Sequence, residues 1–316
     1  MTRNPLSCTF SEMLPNTTSG TGHPFFVVAH ALAAKSAVPV VTTGMAQLGP
    51  KPLFENWSVD AAVACAAKGG IALAKTADLL LLSLSIRESG NLQEDARNAY
   101  NQLLPLVRAE GYPHLLRAWN YMARINEGEG DCERYKQFCA GRHEAFTTQQ
   151  VKEGEYPAAS ALGHNTPELV VYLLAAKRPG IHVENPNQQS AYAYPRIYGP
   201  KSPSFARATA CPDLGLTFIS GTASITGHAT RHHDDVVAQL GLTLDNIETL
   251  VAHIGAKEQL SLGRPLLKVY IRQPEDYPLI RQQLEARLPL AECIYLQADI
   301  CRADLLLEIE AVYRHD

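Results

Sequence analysis

The chain has 316 residues, of which 46% are hydrophobic and 19% charged, as is typical of a globular protein with two domains. Its net charge of −4 and its pI near 6.3 give no electrostatic reason to expect a nucleic-acid partner. No stretch approaches the ~18 apolar residues of a membrane span, and residues 1–16 lack the order of a signal peptide. The seven cysteines are odd in number and form no C-x-x-C, which predicts reduced thiols. We therefore expect a cytoplasmic protein without membrane or nucleic-acid partners.

Periodicity predicts alternating strands and helices in the first half of the chain. Residues 13–24, rich in Gly, Thr, Ser and Pro, are expected to form a surface loop. The elements that follow are a strand at 78–86, a helix at 91–110 ending at Gly111, a strand at 115–121, a helix at 131–146 and a strand at 169–175.

The second half repeats this order of elements. It has a strand at 216–219, a helix at 245–255 ending at Gly255, a strand at 266–272, a helix at 275–288, and strands at 294–296 and 305–312. Two generic βαβ stretches could resemble each other by chance, but linker-type sequence at 178–187 supports a division between the halves. We predict an α/β (α+β) protein with domains 1–185 and 186–316, each a mixed sheet with helices on one face.

The last predicted strand carries a glutamate in its interior. Residues 305, 307 and 309 are apolar and point to one face, whereas Glu308 and Glu310 point to the other. If helices cover the apolar face, burial raises the pKa of Glu308 and makes it a general acid. The alternative is a solvated face or an ion pair with arginine, and Glu310, nearer the strand end, fits that better. The first half has Val171 at the matching position, which predicts one site per chain, in the second half.

Cationic and phenolic side chains are predicted near Glu308. The strand at 266–272 places Lys268, Tyr270 and Arg272 on one face, which we expect to be the face of Glu308. Guanidinium groups bind carboxylates through paired N–H groups, so Arg272 and Arg207 indicate an anionic ligand, unless this is an ordinary polar sheet face. The small-residue turn at 220–224 allows a ligand to approach the backbone but lacks the dinucleotide-binding spacing.

Cys301 and a histidine-rich run are candidate reactive groups. Cys301 lies at the entry to the last strand beside Arg302, which would lower the pKa of its thiol; a small buried hydrophobe is the alternative. The run at 228–235 contains three histidines and two aspartates, but its order is more typical of a helix N-cap than of a metal site. We expect no bound metal.

The second half resembles the YjgF/Rid superfamily. Residues 305–312 (LLLEIEAV) are similar to the closing L-V-E-I-E-A motif of that family, and the predicted helix ending at Gly255 and strand at 266–272 fit it. The resemblance implies two diverged YjgF/Rid-like (chorismate-mutase-like) units. Ordinary members bind a substrate carboxylate with the arginine of a P-A-R motif; here Cys293 stands in its place, which counts against an imine or enamine deaminase.

The whole chain resembles the chorismatases, most specifically over 195–312. The resemblance is carried by residues 198–207 (YGPKSPSFAR), 219–224 (ISGTAS) and 299–302 (DICR). Chorismatases remove pyruvate from chorismate without a cofactor, and they form a dihydroxycyclohexadiene carboxylate, 3-hydroxybenzoate or, in some members, also 4-hydroxybenzoate. The resemblance implies a chorismatase of the 3-hydroxybenzoate-forming type. The alternatives are the hydrolytic reaction, a Rid-type deaminase and a non-catalytic metabolite-binding module.

The resemblance also implies roles for single residues. The glutamate matching Glu308 is the proton donor, and a cysteine matching Cys301 accompanies the hydroxybenzoate-forming types. Arg207 and Arg272 suit the two carboxylates of chorismate. The remaining expected substrate contacts are Tyr198, Thr222, Ala223 and Tyr270, with Ala223 as a second position that determines the product. An alanine at that position also fits a hydrolytic or a mixed-product enzyme, so the product stays open at this point. A monomer is expected, because two fused units can supply internally the contact that Rid proteins make between subunits.

Overall fold

The computed structural model describes residues 6–15, 22–30 and 34–316. Its helices are α1 (Leu92–Ala109), α2 (Arg134–Thr148), α3 (Val236–Glu258) and α4 (Tyr277–Arg287). Its strands are β1 (Leu6–Ser11), β2 (His23–Ala29), β3 (Val40–Thr42), β4 (Gln47–Leu48), β5 (Phe54–Val59), β6 (Ala64–Lys68), β7 (Ile71–Lys75), β8 (Leu79–Arg87), β9 (His114–Ala123), β10 (Ala158–His164), β11 (Glu168–Ala176), β12 (Ile181–Val183), β13 (Ala208–Cys211), β14 (Leu216–Thr222), β15 (Ile225–Thr226), β16 (Ala229–Thr230), β17 (Leu262–Ile271), β18 (Glu292–Gln297) and β19 (Leu307–His315). None of these helices is long and apolar enough to cross a membrane.

The first unit is a six-stranded mixed sheet with helices α1 and α2 on one face. Its strand order is β10-β9-β11-β8-β7-β6, and β9 and β10 run parallel. The Asn91 side chain caps α1 by accepting a hydrogen bond from the Glu94 N–H, and Gly111 follows the helix with φ of +86°. Residues 96, 99, 100, 103 and 107 are buried at helical spacing against the sheet. The predicted helices and strands of this unit are confirmed, with ends shifted by up to three residues.

The second unit repeats this arrangement in a seven-stranded sheet of order β12-β13-β14-β19-β17-β18-β4. Helices α3 and α4 cover one face, and β17 and β18 run parallel. The helix predicted at 245–255 is longer in both directions. Gly255 is wrong as the helix stop, because α3 continues through helix-favouring residues to Glu258 and Gln259 takes the left-handed conformation, with φ of +54°.

The N-terminal part of the chain joins both units. Strands β1, β5, β2 and β3 form a four-stranded sheet, and β4 pairs with β18 at the edge of the second sheet. The sequence patterns predict no element before residue 78. Strand β12 pairs with β13, so residues 181–183 belong to the second sheet and the sheets divide a few residues before the predicted boundary at 185. Of the loop predicted at 13–24, residues 16–21 lie outside the described residues.

The two large sheets pack against each other through the faces that no helix covers. Trp119 and Tyr172 from the first sheet meet Phe218 and Tyr270 from the second, and Trp57 from β5 lies 6.4 Å from Trp119 between ring centres. The units are also joined through the backbone, since the Gly163 N–H donates to the Asp299 carbonyl at 2.7 Å. The helix-free face of the second sheet is therefore the middle of the molecule, and a carboxylate placed there is buried.

Candidate active site

Strand β19 buries two glutamates that point to the same face. Leu307 and Ile309 pack beneath α3 and α4, whereas Glu308 and Glu310 point toward the first unit and are only 4% and 3% exposed. The predicted alternation is confirmed along the strand. Leu305 is an exception, because it precedes β19 and packs in the core between the sheets instead.

The position in the first unit that corresponds to Glu308 is one residue away from the predicted one. Val171 points to the helix-covered face of its sheet, so it was wrongly matched. Val170 is the residue on the equivalent face, since it pairs with Tyr121 of β9 as Glu308 pairs with Tyr270 of β17. The counterpart is apolar in either case.

Glu310 is held as a carboxylate by donors from both units. Its oxygens accept hydrogen bonds from Arg117 (2.9 Å), Trp119 Nε1 (2.9 Å) and Ser160 Oγ (2.6 Å) of the first unit, and pair with Lys268 (2.7 Å) of the second. Burial opposes the negative charge, but Lys268 and Arg117 outweigh it and lower the pKa of Glu310 to about 2. Glu310 therefore forms a buried ion pair, which was the alternative considered for the two glutamates.

Glu308 has a raised pKa, in contrast to the lowered pKa of Glu310. Burial, followed by the negative charge of Glu310, raises the pKa of Glu308 to about 8, although Arg117 and Arg207 act in the other direction. At neutral pH the side chain is a carboxylic acid. Its position depends on Gly221 in β14, because a Cβ atom on that residue would overlap Glu308 Oε1.

A cavity of about 470 Å³ opens between the two units and reaches Glu308. Five residues predicted from the sequence line it, namely Tyr198, Arg207, Ala223, Cys301 and Glu308. The first unit supplies part of the wall through Asn126, Glu133, Tyr135 and Lys136. The candidate site therefore lies between the units and is not contained in the second one.

Arg207 is a buried cation at this cavity. One Nη donates to Tyr194 Oη at 2.6 Å and to the Gln189 carbonyl at 2.9 Å, while its Nε has no partner among the described residues. The guanidinium also lies 5.2 Å from the Phe205 ring centre. The positive charge of Arg207 at the cavity wall suits an anionic group there.

Arg272 was predicted as a second carboxylate ligand, and its geometry contradicts this. Strand β17 ends at Ile271, and the guanidinium of Arg272 turns into the segment that precedes β19. All five of its N–H donors are used, with partners Asp299, Asn126 and the carbonyls of Ile300, Arg302 and Leu305. Arg272 holds the segment that carries Cys301 and has no donor left for a ligand.

Tyr270 and Thr222 also do not line the cavity. Tyr270 is fully buried between the sheets, where its hydroxyl lies 3.2 Å from that of Tyr121. Thr222 donates to the Ser220 carbonyl at 2.9 Å and is 2% exposed. A bulge in β14 between Ile219 and Thr222 presents Gly221 and Ala223 to the cavity, so Thr222 points away from it.

Cys301 is a cavity residue with a protonated thiol. Burial and the neighbouring Glu308 raise the pKa of Cys301 well above its usual value, and Arg302 lowers it by less. The predicted thiol activation by Arg302 is therefore wrong. The Arg302 guanidinium instead lies 3.9 Å from the ring centre of Tyr198 and donates to the His228 carbonyl at 2.9 Å.

The histidine-rich run at 228–235 leads into α3 and ends with its N-cap residue, as the order of its residues predicts. Asp235 caps α3 by accepting a hydrogen bond from the Ala238 N–H at 2.9 Å. His228 contacts the Tyr198 hydroxyl at 3.2 Å and so supports one wall of the cavity.

Several cavity residues carry no signal in the sequence. Tyr135 and Lys136 lie on α2 of the first unit, and Tyr194 lies in the segment between β12 and β13. Nothing in their local sequence distinguishes them from ordinary helix or loop residues. They become part of the cavity wall only when the two units pack together.

Known proteins resemble this chain in sequence and in fold. Residues 55–175 match the family model described as chorismatase FkbO/Hyg5-like, N-terminal. The chain is 37% identical to a 3-hydroxybenzoate synthase of Streptomyces hygroscopicus over 87% of this chain and 85% of that protein. It is 36% identical to a chorismatase of Streptomyces rapamycinicus over 82% of this chain and 81% of that one. A chorismatase crystal structure superposes with a TM-score of 0.90, at 31% identity and 99% coverage of both chains. The chain belongs to the chorismatase family.

Proposed function

We propose that this protein removes pyruvate from chorismate and forms 3-hydroxybenzoate, with Glu308 as the proton donor. The observation that carries the proposal is a carboxylic acid with a pKa of about 8 at the wall of a cavity of substrate size. Family membership and the name of the 3-hydroxybenzoate synthase relative support the substrate and the product.

The first step is protonation of the enolpyruvyl group. An enol ether is a weak electrophile until its terminal methylene takes up a proton, which generates an oxocarbenium ion at the ether carbon. Glu308 is protonated at neutral pH and supplies this proton. The carboxylate that remains lies close to the new positive charge and stabilises it.

The later steps break the ether bond and aromatise the ring. The C4 hydroxyl of chorismate attacks C3, the ether oxygen leaves with the pyruvyl group as pyruvate, and the hydroxyl proton is released. The bridging oxygen then opens at C4 while C3 loses its proton, which leaves a hydroxyl at C3 of an aromatic ring. The two products together contain all the atoms of chorismate, so no oxidant, reductant or net water is consumed.

Three cavity residues suit the ring and its carboxylate. Arg207, a buried cation at the cavity wall, binds the ring carboxylate. Cys301 and Ala223 line the cavity with Glu308 and offer no charged group that would hold a water molecule beside the oxocarbenium ion, which favours attack by the ring hydroxyl over hydrolysis.

The test is incubation of the purified protein with chorismate, with chromatographic product analysis and a coupled pyruvate assay. We expect pyruvate and 3-hydroxybenzoate in equal amounts. A dihydroxycyclohexadiene carboxylate in place of 3-hydroxybenzoate would keep the pyruvate-releasing reaction and overturn the aromatising one. Pyruvate release no faster than the uncatalysed rate would refute the proposal.

A further inference from the structure

A short segment at the mouth of the main cavity has no backbone hydrogen bond to the elements around it, among the described residues. The segment comprises residues 195–202, in the connection between β12 and β13, and is called the strap below. Its backbone makes two hydrogen bonds within the described part of the chain, and both lie inside the strap: Tyr198 N–H donates to the Pro195 carbonyl, and Gly199 N–H donates to the Arg196 carbonyl. A segment of this kind opens at a low cost in free energy.

The strap lies between the cavity and the solvent. Ile197 and Tyr198 line the cavity, yet Ile197 is 73% exposed, so this residue stands at the rim. On the side of the second unit, the Arg302 guanidinium holds Tyr198, at 3.9 Å from its ring centre. On the side of the first unit, Gly199 lies so close to α2 that an added Cβ atom would be 3.1 Å from Lys136 Cγ. The strap therefore bridges the two units across the cavity mouth.

An ion pair fixes the strap to the first unit. The Arg196 guanidinium donates two hydrogen bonds to the Asp131 carboxylate, at 2.8 and 2.6 Å, and Asp131 lies in a short 3₁₀ turn just before α2. The forked geometry is favourable, but the two side chains are 65% and 52% exposed, so the pair is weak enough to break and form again. Neither residue lines the cavity.

We propose that Arg196 and Asp131 favour 3-hydroxybenzoate over the hydrolysis product by holding the strap closed over the oxocarbenium ion. The inference rests on the proposed function, and it makes these two residues positioning residues that do not touch the substrate. While the strap is closed, water is kept from the ether carbon and the C4 hydroxyl of the ring attacks instead.

An open strap admits the competing reaction. Water adds to the ether carbon of the oxocarbenium ion and loses a proton to the Glu308 carboxylate. The hemiketal that results releases pyruvate, while the ether oxygen stays on the ring as a hydroxyl. This route consumes one water molecule and gives the dihydroxycyclohexadiene carboxylate, so the ratio of the two ring products reports how often the strap opens.

The test is the molar ratio of the diene diol to 3-hydroxybenzoate formed from chorismate, measured by chromatography. Arg196→Gln removes the cation of the pair, and Asp131→Asn weakens the pair from the other side. Each should raise the ratio roughly two- to fivefold over the wild type, the range for loss of an exposed ion pair. Arg178→Gln is the matched control, because it breaks an exposed pair with Asp213 outside the strap, and it should keep the wild-type ratio.

Salt and charge exchange give readouts that a merely structural role would not move. At about 1 M NaCl the Debye length falls to about 3 Å, so the wild-type ratio should rise roughly twofold, whereas that of Arg196→Gln should not change. The double variant Arg196→Asp with Asp131→Arg forms the pair in reversed order and should return the ratio to within about twofold of the wild type.

Three results overturn the inference. They are an unchanged ratio in both single variants, the absence of the diene diol from every variant, and an equal rise of the ratio in Arg178→Gln. If the single variants do not fold by circular dichroism, the wild type decides, since a ratio that is independent of salt refutes the inference. Failure of the proposed function is seen separately, as a wild type that forms no 3-hydroxybenzoate.

Discussion

The acidic proton of Glu308 is the feature on which the proposed chemistry depends. Glu308→Gln keeps the shape of the side chain but has no proton to donate to the methylene. We expect pyruvate release from chorismate to fall by roughly 10³-fold, within the range for loss of a general acid. The coupled pyruvate assay measures this, with Glu285→Gln on the exposed face of α4 as the control. A loss of less than about tenfold would remove Glu308 from the protonation step.

Activity is also expected to be sensitive to substitution of Gly221, the residue that faces Glu308. A methyl group there would overlap Glu308 Oε1 and also lie 3.2 Å from Ser160 Oγ, so the carboxyl group must move. Gly221→Ala should lower kcat by roughly 100-fold, because a displaced catalytic group is poorly aligned. Gly241→Ala is the matched control, since an added Cβ meets nothing within 4 Å. Equal activity of the two variants would contradict this placement of Glu308.

At the scale of the element, β19 holds two glutamates in opposite charge states. Glu310→Gln removes the anion that pairs with Lys268 and Arg117, and leaves those cations buried with fewer partners. We expect a loss of about 3 kcal/mol in the free energy of unfolding, measured by urea denaturation. The variant that remains folded should lose pyruvate release at a lower pH than the wild type, because Glu310 raises the pKa of Glu308. An unchanged pH profile would show that Glu310 does not act on Glu308.

Strand alternation explains which parts of the site the sequence could predict. The period of two identified the face of Glu308, because every residue of β19 from Leu307 onward obeys it. Alternation failed at Arg272, because β17 ends at Ile271. Beyond the end of a strand the side chain is oriented by its own hydrogen bonds, here to Asp299, and not by the alternation of the strand. Thr222 was expected as a substrate contact from the resemblance, and it points away from the cavity because of the β14 bulge. The strands before residue 78 were not predicted. Two of them, β6 and β7, extend the first sheet as β12 and β13 extend the second, and β1, β2, β3 and β5 form a separate sheet with no counterpart in the repeat.

At the scale of the whole molecule, the first unit completes the site of the second. Arg117, Trp119 and Ser160 hold the charge of Glu310, and α2 provides part of the cavity wall with Tyr135 and Lys136. No pattern within one unit predicts this, since the contacts form only when the helix-free faces of the two sheets meet. The repeat was visible in the sequence, but the position of the cavity between its copies was not.

Because both units of the chain line the cavity, we predict that activity does not require association of two chains. The specific activity of pyruvate release should stay constant over roughly a thousandfold dilution of the protein. Size-exclusion chromatography at the two extremes serves as the control for the oligomeric state. A fall in specific activity on dilution would indicate that a second copy of the chain contributes to the site.

The central claim is that Glu308 acts as a protonated acid, and the pH dependence of kcat/KM for pyruvate release tests it most directly. The reaction needs the protonated form, so activity should be highest below the pKa of Glu308 and decline as pH rises through about 8. Above that value we predict a fall of roughly tenfold per pH unit, with the protein still folded by circular dichroism. A profile that stays flat to pH 10, or a rate that rises with pH, would contradict the account.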